Sequence, residues 1–435
     1  MQQEHYEVIA RKWRPQSFDD LIGQEHITET LKNEIQSGRI AQAFLFRGIR
    51  GIGKTSAARI LAKALNCRQS EAPTADPCNR CDACLSIKNG NAADVMEIDG
   101  ASNRKIEHIR ELRENIKFAP ATLRYKVYII DEVHMLTREA FNALLKTLEE
   151  PPKHVVFVLA TTDDHKVPIT ISSRCQRFSF RRIGLHDMSL ALHKIAESEG
   201  IQIDDQSLLY IAKRSEGSMR DAQSLLEQVI SYCGTEVSPE KVSEILGVVS
   251  SESIQELTAA ILADDPETIL HVIHSLVRQG HDLEQFYKDI LEYIRNLLVL
   301  KISPKAERLL DNATMGLEVM RRQSDSHSLQ ELRTIFKYLL HAEADIKRSA
   351  SSRFSMEMAL LQACRINSLE SFDDVWQQVQ RLGEQFSVFE HCLPQELSVC
   401  DETTVEPHFR TTIPSMSLEE LAETACEIFE GHVLS

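Results

Sequence analysis

The chain has 435 residues, of which 43% are hydrophobic and 26% are charged. This composition is typical of a soluble globular protein, and at roughly 100–200 residues per domain it predicts two to four domains. No run of about 18 apolar residues occurs, so we expect no membrane span. The N-terminus also lacks the apolar run of a secretory signal. We therefore expect a cytoplasmic protein whose thiols stay reduced.

The net charge of −16 is concentrated near the C-terminus. Residues 366–435 hold 14 Asp and Glu against 2 Lys and Arg, whereas residues 1–365 have a net charge of −4. The body of the chain is therefore nearly balanced. It stays compatible with nucleic-acid binding if its basic residues cluster on one face.

Residues 1–182 alternate short apolar runs with longer amphipathic segments. The apolar runs at 43–46, 126–130 and 155–162 predict buried strands. The segments between them carry apolar residues three and four positions apart, which predicts helices. Alternating strands and helices favour a doubly wound α/β domain with a mainly parallel sheet.

The strand signals stop beyond this region. Residues 183–243 predict a small helical domain, and residues 244–365 predict further helices with breaks near 264–266 and at Gly280. Residues 366–435 predict a poorly structured acidic tail that ends in one amphipathic helix. This last helix either docks a partner or is simply a solvated end.

The segment GIRGIGKT matches the phosphate-binding pattern G-x-x-x-x-G-K-[ST] between a predicted strand and a predicted helix. Its glycines let backbone N–H groups turn toward phosphate oxygens, and the helix N-terminus adds positive potential. Lys54 would reach the β- and γ-phosphates, and the Thr55 hydroxyl would bind Mg²⁺. The alternative is a glycine turn that happens to precede a lysine. The predicted nucleotide-binding residues of this segment are Gly48, Ile49, Arg50, Gly51, Ile52, Gly53, Lys54, Thr55 and Ser56.

Two acidic residues, Asp131 and Glu132, follow the buried strand of KVYIIDEVHML. Asp131 would hold Mg²⁺ beside the phosphate loop, and Glu132 would polarise an attacking water. An isolated Asp-Glu pair after a strand is more often a solvated turn, but the upstream phosphate loop favours the catalytic interpretation. Together the two elements predict Mg²⁺-dependent hydrolysis of a nucleoside triphosphate.

Four cysteines, Cys67, Cys78, Cys81 and Cys84, have the spacing C-x10-C-x2-C-x2-C. Overlapping CxxC steps are too dense for two comfortable disulfides, and four thiolates suit a closed tetrahedral Zn²⁺ site. A closed site leaves no position open for catalysis. We therefore expect structural zinc that folds a small insertion. An incidental cluster of thiols and disulfide bonding are the alternatives.

Several segments together resemble the gamma/tau family of bacterial DNA polymerase III subunits, which are the AAA+ ATPases of the replicative clamp loader. Besides the phosphate loop and the four cysteines, they are residues 10–27, 129–152, 159–163, 172–178 and 216–228. The resemblance implies an AAA+ nucleotide-binding domain at 1–182 with a zinc module at 67–84. It also implies a helical lid at 183–243 and an all-α oligomerisation (collar) domain at 244–365, although an intramolecular bundle fits the collar region equally well.

The resemblance assigns roles to residues that spacing alone leaves unremarkable. Thr162 would be the sensor that positions the water or the γ-phosphate, with Thr161 as the alternative. Arg174 would be the arginine finger that reaches the ATP of a neighbouring subunit. Arg220, on the lid, would be the second sensor on its own chain's phosphates, whereas without the family it could pair with Asp221 or cap its helix.

The family also implies where the base of ATP would bind. The segment from Arg11 to Pro15, together with Gly23 and Gln24, would frame the adenine. Arg104 and Lys105 lie near the start of a predicted helix, and two interpretations stay open for them: a solvated helix face or a contact with DNA. Since no recognition motif occurs, DNA contacts without sequence specificity are expected.

The implied function is ATP-driven loading of a sliding clamp onto primed DNA during replication. The implied partners are the delta and delta-prime subunits, further gamma/tau copies, the clamp and primed DNA. The chain would belong to a DNA-directed DNA polymerase, a nucleotidyltransferase complex, without performing polymerase chemistry itself. Longer family members bind the polymerase and helicase through a Pro-rich, partly basic extension. The acidic tail here departs from that pattern, so those contacts are not expected.

Two other functions stay open. The chain could be another AAA+ DNA motor, such as a branch-migration helicase or remodeller, which would form a ring of identical subunits. It could also be a scaffold subunit that binds nucleotide without hydrolysing it. The Ser-Ser-Arg-Cys segment and the cysteines oppose the first alternative, and the intact Lys54, Asp131 and Glu132 oppose the second.

Overall fold

The structure, a computed structural model, describes residues 7–103, 106–247, 249–303 and 317–365. Its first part contains five strands: β1 (Ala43–Arg47), β2 (Val95–Asp99), β3 (Lys126–Asp131), β4 (Val155–Thr161) and β5 (Gln176–Ser179). They form one parallel sheet in the order β2-β3-β4-β1-β5. The sequence predicted β1, β3 and β4 because their positions are almost all buried. It did not predict β2 and β5, whose many exposed and polar positions hide them.

Helices cover both faces of this sheet, and each face has its own apolar core. Along β1, Phe44 and Phe46 pack into one core, whereas Ala43 and Leu45 pack into the other. This alternation follows from the two-residue period of a strand and explains why a central strand reads as a continuous apolar run. The helices of this part are α1 (Ile9–Lys12), α2 (Glu25–Ser37), α3 (Lys54–Asn66), α4 (Asp82–Asn89), α5 (Ile106–Ile116), α6 (Arg138–Glu149) and α7 (Ile169–Ser172).

The carboxyl ends of the parallel strands meet at one edge of the sheet. There Asp99 is aligned with Asp131 in neighbouring strands, and Arg47 is aligned with Thr161. In open α/β sheets ligands bind in the crevice outside these strand ends. The sheet therefore brings the ends of β1, β3 and β4 together at the edge where the predicted nucleotide residues lie.

A small helical lid follows the sheet domain. Its helices are α8 (Leu185–Ser198), α9 (Asp205–Arg214), α10 (Met219–Cys233) and α11 (Pro239–Leu246), and it also contains the two-residue strands β6 (Gln202–Ile203) and β7 (Glu236–Val237). The two short strands pair in parallel and were not predicted, because two residues carry no periodic signal.

The N-terminal segment (residues 9–16) packs against the lid, although it precedes the sheet in the chain. Ile9 is buried in the apolar cluster of the lid. Trp13 Nε1 donates to Glu199 Oε1 at 2.7 Å, and Lys12 Nζ lies 2.7 Å from the same oxygen. The lid is therefore in contact with residues that precede the sheet as well as with those that follow it. The predicted domain boundaries remain a prediction.

The last described part is all helical and has one apolar core. The predicted breaks coincide with helix ends: Asp264 has φ 57°, Asp265 caps the next helix by accepting from the Thr268 N–H at 3.1 Å, and Gly280 with φ 77° ends it. The helices are α12 (Ser251–Leu262), α13 (Pro266–Gln279), α14 (Leu283–Ile302), α15 (Leu317–Ser326), α16 (Leu329–Arg348) and α17 (Ser352–Arg365).

The predicted acidic tail, 366–435, and its final helix lie outside the described residues. Within the part that is described, no single helix is long and apolar enough to cross a membrane. One bent pair of helices, Pro239–Leu246 with Ser251–Leu262, is long and apolar enough only when its two helices are taken together, by length and composition alone.

The central strand offers a test of the sheet core. Phe157 is fully buried in β4, and its ring stacks on that of Tyr128 with centroids 5.5 Å apart. We expect Phe157→Ala to lower the free energy of unfolding by about 3–5 kcal/mol, because it removes buried apolar surface and leaves a cavity. Urea unfolding followed by circular dichroism measures the change.

The matched control is Phe118→Ala, since Phe118 is 66% exposed. This change is expected to stay within about 0.5 kcal/mol. Equal losses for the two variants would contradict the assignment of β4 to the centre of the core.

Candidate functional site

The phosphate loop (residues 48–53) connects the end of β1 to the start of α3. The Gly48 N–H donates to the Thr161 carbonyl oxygen at 3.2 Å, which ties the loop to the end of the neighbouring strand β4. Gly53 has φ 100° and forms the N-cap of α3, a left-handed conformation that glycine adopts without strain. The first backbone N–H groups of α3 therefore point into the space above the loop.

Lys54, the first residue of α3, is held against the loop. Its ammonium donates to the carbonyl oxygens of Gly48 and Ile49, both at 2.8 Å. Burial lowers the pKa of this ammonium, whereas the carboxylates of Glu132 and Asp131 act in the opposite direction. The charge of Lys54 is thus fixed beside the loop and faces two acids.

The two predicted Mg²⁺ ligands are in direct contact. Thr55 Oγ1 donates to Asp131 Oδ2 at 2.6 Å, although the residues lie on α3 and at the end of β3. A hydroxyl and a carboxylate are oxygen ligands of the kind that Mg²⁺ prefers. The donor set at the end of β3 therefore fits this ion.

Glu132 lies next to Asp131 in the left-handed region, with φ 46°. Its carboxylate accepts from Thr162 Oγ1 at 2.8 Å and lies 3.3 Å from His134 Nδ1. Thr161 is fully buried, and its Oγ1 lies 3.0 Å from the same His134 nitrogen. The structure thus brings Thr162, and not Thr161, to the acid.

Sequence reasoning missed His134. The only signal was its position two residues after Glu132 in DEVH, which identifies no contact by itself. The contact depends on the short 3₁₀ turn Val133–Met135, which brings the imidazole toward the end of β4.

The lid contacts the phosphate loop directly. The Arg220 N–H donates to the Gly51 carbonyl oxygen at 3.2 Å. Gly51 has φ 77°, and a Cβ built there would lie 2.1 Å from Ser218 Oγ, so the position requires glycine. Ser218 also caps α10 by accepting from the Asp221 N–H at 3.3 Å. Ser218, and not Arg220, therefore caps this helix, and Arg220 lines the cleft.

A cleft of about 1160 Å³ lies between the loop, the lid and the N-terminal segment. Arg11 and Pro15 line it, as do Arg50 to Ser56, Asp131 and Glu132. Gln24 is instead fully buried and exchanges two hydrogen bonds with the backbone of Arg181, at 2.7 and 3.0 Å. Gly23 precedes it in a turn with φ 69°. Gln24 therefore fixes the start of α2 rather than forming the cleft wall.

Arg174 lies away from the cleft of its own chain, just before β5. Its guanidinium donates to Glu149 Oε1 and to the Thr170 carbonyl oxygen, both at 2.7 Å. This position is compatible with a residue that acts on another copy. Arg104 and Lys105, the weak candidates for DNA contact, lie outside the described residues.

The four predicted metal-binding cysteines form a compact cysteine cluster (Cys67, Cys78, Cys81, Cys84). Their sulfur atoms all lie within 4.8 Å of one another, and those of Cys78 and Cys84 are 4.0 Å apart. Tetrahedral zinc with Zn–S bonds of about 2.3 Å requires sulfurs about 3.8 Å apart. The spacing fits such a site, and all four residues are free thiols rather than disulfides.

The surroundings favour the thiolate form of Cys78, whereas burial raises the pKa of the Cys84 thiol. The N–H groups of Arg80 and Cys81 donate to Cys78 Sγ at 3.5 and 3.3 Å. These bonds, with that from Arg80 the stronger influence, lower the pKa of the Cys78 thiol to about 6. Cys81 is also the N-cap of α4, where the helix dipole stabilises negative charge. Four clustered thiols suit Zn²⁺, which binds them in the deprotonated form.

Comparisons with known families match successive parts of the chain. Residues 23–184 match the family described as "DNA polymerase III, delta subunit". Residues 188–235 match "DNA polymerase III clamp loader subunit, ATPase lid domain". Residues 237–379 match "DNA polymerase III subunits gamma and tau domain III". The described fold of a parallel α/β domain, a lid and a helical domain agrees with these matches and confirms the predicted fold class.

Among solved structures, the chain is similar to the "Thermotoga maritima RuvB Holliday junction branch migration motor". The TM-score is 0.41 at 20% identity, over 62% of this chain and 86% of that one. A TM-score this low indicates no functional relationship by itself.

Individual relatives are much more similar in sequence. The chain is 42% identical to DNA polymerase III subunit tau of Bacillus subtilis (strain 168) over 385 residues, which are 87% of this chain and 68% of that protein. It is 41% identical to subunit tau of Escherichia coli (strain K12), over 82% of this chain and 55% of that protein. It is 39% identical to subunit gamma of Buchnera aphidicola subsp. Acyrthosiphon pisum (strain APS), over 82% of this chain and 98% of that protein. The chain therefore belongs to the family of DNA polymerase III gamma and tau subunits.

Proposed function

We propose that this chain is an ATPase subunit of the DNA polymerase III clamp loader, which hydrolyses ATP with Mg²⁺ to place a sliding clamp on primed DNA. Membership of the family supports the clamp loader assignment. The observation that supports hydrolysis, beyond nucleotide binding, is the position of Glu132. Its carboxylate is held by Thr162 beside Asp131, and both acids line the same cleft as the phosphate loop.

In this proposal ATP binds with its phosphates against the phosphate loop and its base toward Arg11 and Pro15. Lys54 neutralises the β- and γ-phosphates, and Arg220 approaches them from the lid. Magnesium, when bound, would supply positive charge that offsets the negative charge of the phosphates. Thr55 and Asp131 are the residues that would hold this ion.

The chemical step is attack of water on the γ-phosphorus. A new P–O bond forms to the water oxygen, while the bond from the γ-phosphorus to the β–γ bridging oxygen breaks. ADP leaves with the electron pair of that bond, and inorganic phosphate is released. Glu132 orients the water, accepts its proton as the new P–O bond forms and then releases the proton to solvent, while Thr162 holds the Glu132 carboxylate in position.

The proposed complex contains delta, delta-prime and further gamma/tau copies around primed DNA. Arg174 of one copy would reach the ATP of its neighbour, which agrees with its position outside its own cleft. DNA contacts would be to phosphates and without sequence preference. In the cysteine cluster, structural Zn²⁺ would hold the loop after α3 together.

The first test separates binding from hydrolysis. We expect Glu132→Gln to lower steady-state ATP turnover of the assembled complex by about 10²–10⁴-fold, because the amide does not polarise water. The dissociation constant of mant-ATP, measured by fluorescence titration, should not change, whereas Lys54→Ala should abolish mant-ATP binding. Glu29→Gln, at an exposed position of α2, is the control. Full turnover by Glu132→Gln would contradict the role of Glu132.

The second test addresses action between subunits. We expect Arg174→Ala to reduce turnover of the assembled complex by about 10³-fold, since an arginine finger stabilises transition-state charge. The mant-ATP affinity of the isolated chain should stay unchanged. Arg138→Ala, at an exposed position of α6, is the matched control. Reduced mant-ATP affinity in the isolated Arg174→Ala chain would show that Arg174 acts within its own subunit.

The third test concerns the cysteine cluster. The purified chain should contain about one Zn²⁺ by atomic emission, as a closed site of four thiolates requires. We expect Cys84→Ser to lose this zinc and to lower the unfolding temperature. Cys233→Ser, which lies outside the cluster, should retain both. Equal zinc contents of the two variants would rule out the proposed ligand set.

A further inference from the structure

Lys63 has no role in the proposed mechanism. It lies on α3, the same helix that starts with Lys54, and is only 1% exposed. At about 1.5 Å per residue, the two lysines are roughly 13 Å apart along the helix axis. A lysine so deeply buried is unusual, because transferring an ammonium from water into protein is unfavourable unless all its donors are paired.

All three N–H donors of this ammonium have acceptors. Lys63 Nζ donates to Asn79 Oδ1 at 2.6 Å, to the Gln16 carbonyl oxygen at 2.6 Å and to Gln16 Oε1 at 3.0 Å. Since a lysine has three donors, its hydrogen-bonding capacity is used completely. The positions of Asn79 and Gln16 relative to α3 are thereby fixed by one buried charge.

The two partners belong to different functional parts. Asn79 lies in the chain between Cys78 and Cys81 of the cysteine cluster, and its backbone is in the left-handed region with φ 55°. Gln16 belongs to the N-terminal segment, and its Nε2 donates to the Arg14 carbonyl oxygen at 2.9 Å. Both Gln16 and Arg14 line the nucleotide cleft. A continuous chain of hydrogen bonds therefore runs from Asn79, which is bonded in sequence to Cys78, to the cleft wall.

We propose that Lys63 is a positioning residue through which the cysteine cluster holds residues 14–16 against the nucleotide cleft. A metal in the cluster and a nucleotide in the cleft then bind with positive coupling, although neither touches the other. The inference rests on the proposed function, because it takes the cleft to be the nucleotide site. It assigns to the cysteine cluster a role in nucleotide affinity besides that of folding its own loop.

The experiment uses the full chain carrying Trp376→Phe, so that Trp13 is its only tryptophan. The readouts are the mant-ATP dissociation constant, the Trp13 emission without nucleotide, and the zinc content. Asn79→Gly is the central variant, since glycine tolerates the positive φ, all four cysteines remain, and the side-chain amide that supplies the Oδ1 acceptor is removed. Lys63→Met removes the whole link, and Lys88→Met repeats this substitution at an exposed position of α4.

We expect Asn79→Gly and Lys63→Met to weaken mant-ATP binding about tenfold and to change Trp13 emission, with zinc retained, whereas Lys88→Met changes neither. Removing zinc with a chelator from the chain that carries Trp376→Phe alone should weaken mant-ATP binding by a similar factor. In Lys63→Met, zinc removal should add nothing, because the link is already broken.

Additive effects of zinc removal and Lys63→Met would overturn the inference. So would an unchanged mant-ATP affinity in Asn79→Gly. Absence of mant-ATP binding by the unmutated chain would instead overturn the proposed function, and this inference with it. A merely stabilising role of Lys63 would lower the unfolding temperature but leave the mant-ATP affinity and the Trp13 emission of the folded chain unchanged.

Discussion

The hydrogen bond from Thr55 Oγ1 to Asp131 Oδ2, 2.6 Å long, joins residues that are 76 positions apart in the chain. It exists because β1 and β3 run in the same direction, on either side of β4, so that both end at one edge of the sheet. The phosphate loop follows β1, and the acid pair consists of the last residue of β3 and the residue after it. Thr162, which follows the strand between them, completes the set by contacting Glu132. The order and direction of the strands thus assemble the site.

The rest of the cleft is built by parts of the chain that the sheet does not contain. The lid supplies Arg220 and contacts the phosphate loop at Gly51, where a side chain would not fit. The N-terminal segment packs on the lid through Ile9 and Trp13 and then returns to α3 at Gln16. A change in the position of the lid is therefore expected to move residues near the base of the nucleotide as well as near its phosphates.

Sequence reasoning predicted those parts of the site whose chemistry is encoded locally. The phosphate loop, the acid pair after β3 and the cysteine spacing are short motifs whose geometry follows from neighbouring residues. It did not identify contacts between distant segments. Gln24 pairs with the backbone of Arg181, 157 positions away, and Lys63 reaches both Gln16 and Asn79. Such contacts leave no periodic pattern, because they depend on how completed elements pack. The strands β2 and β5 were missed for a different reason, because many of their positions are exposed and polar and no apolar run marks them.

The central claim is that hydrolysis in this cleft serves clamp loading rather than another use of ATP. It is tested most directly by steady-state ATP turnover of the chain assembled with delta and delta-prime subunits, with and without the sliding clamp and primed DNA. The account predicts slow turnover alone and strong stimulation only when both the clamp and primed DNA are present. Turnover that is indifferent to the clamp would contradict it and favour a general DNA motor, and no turnover under any condition would favour a scaffold.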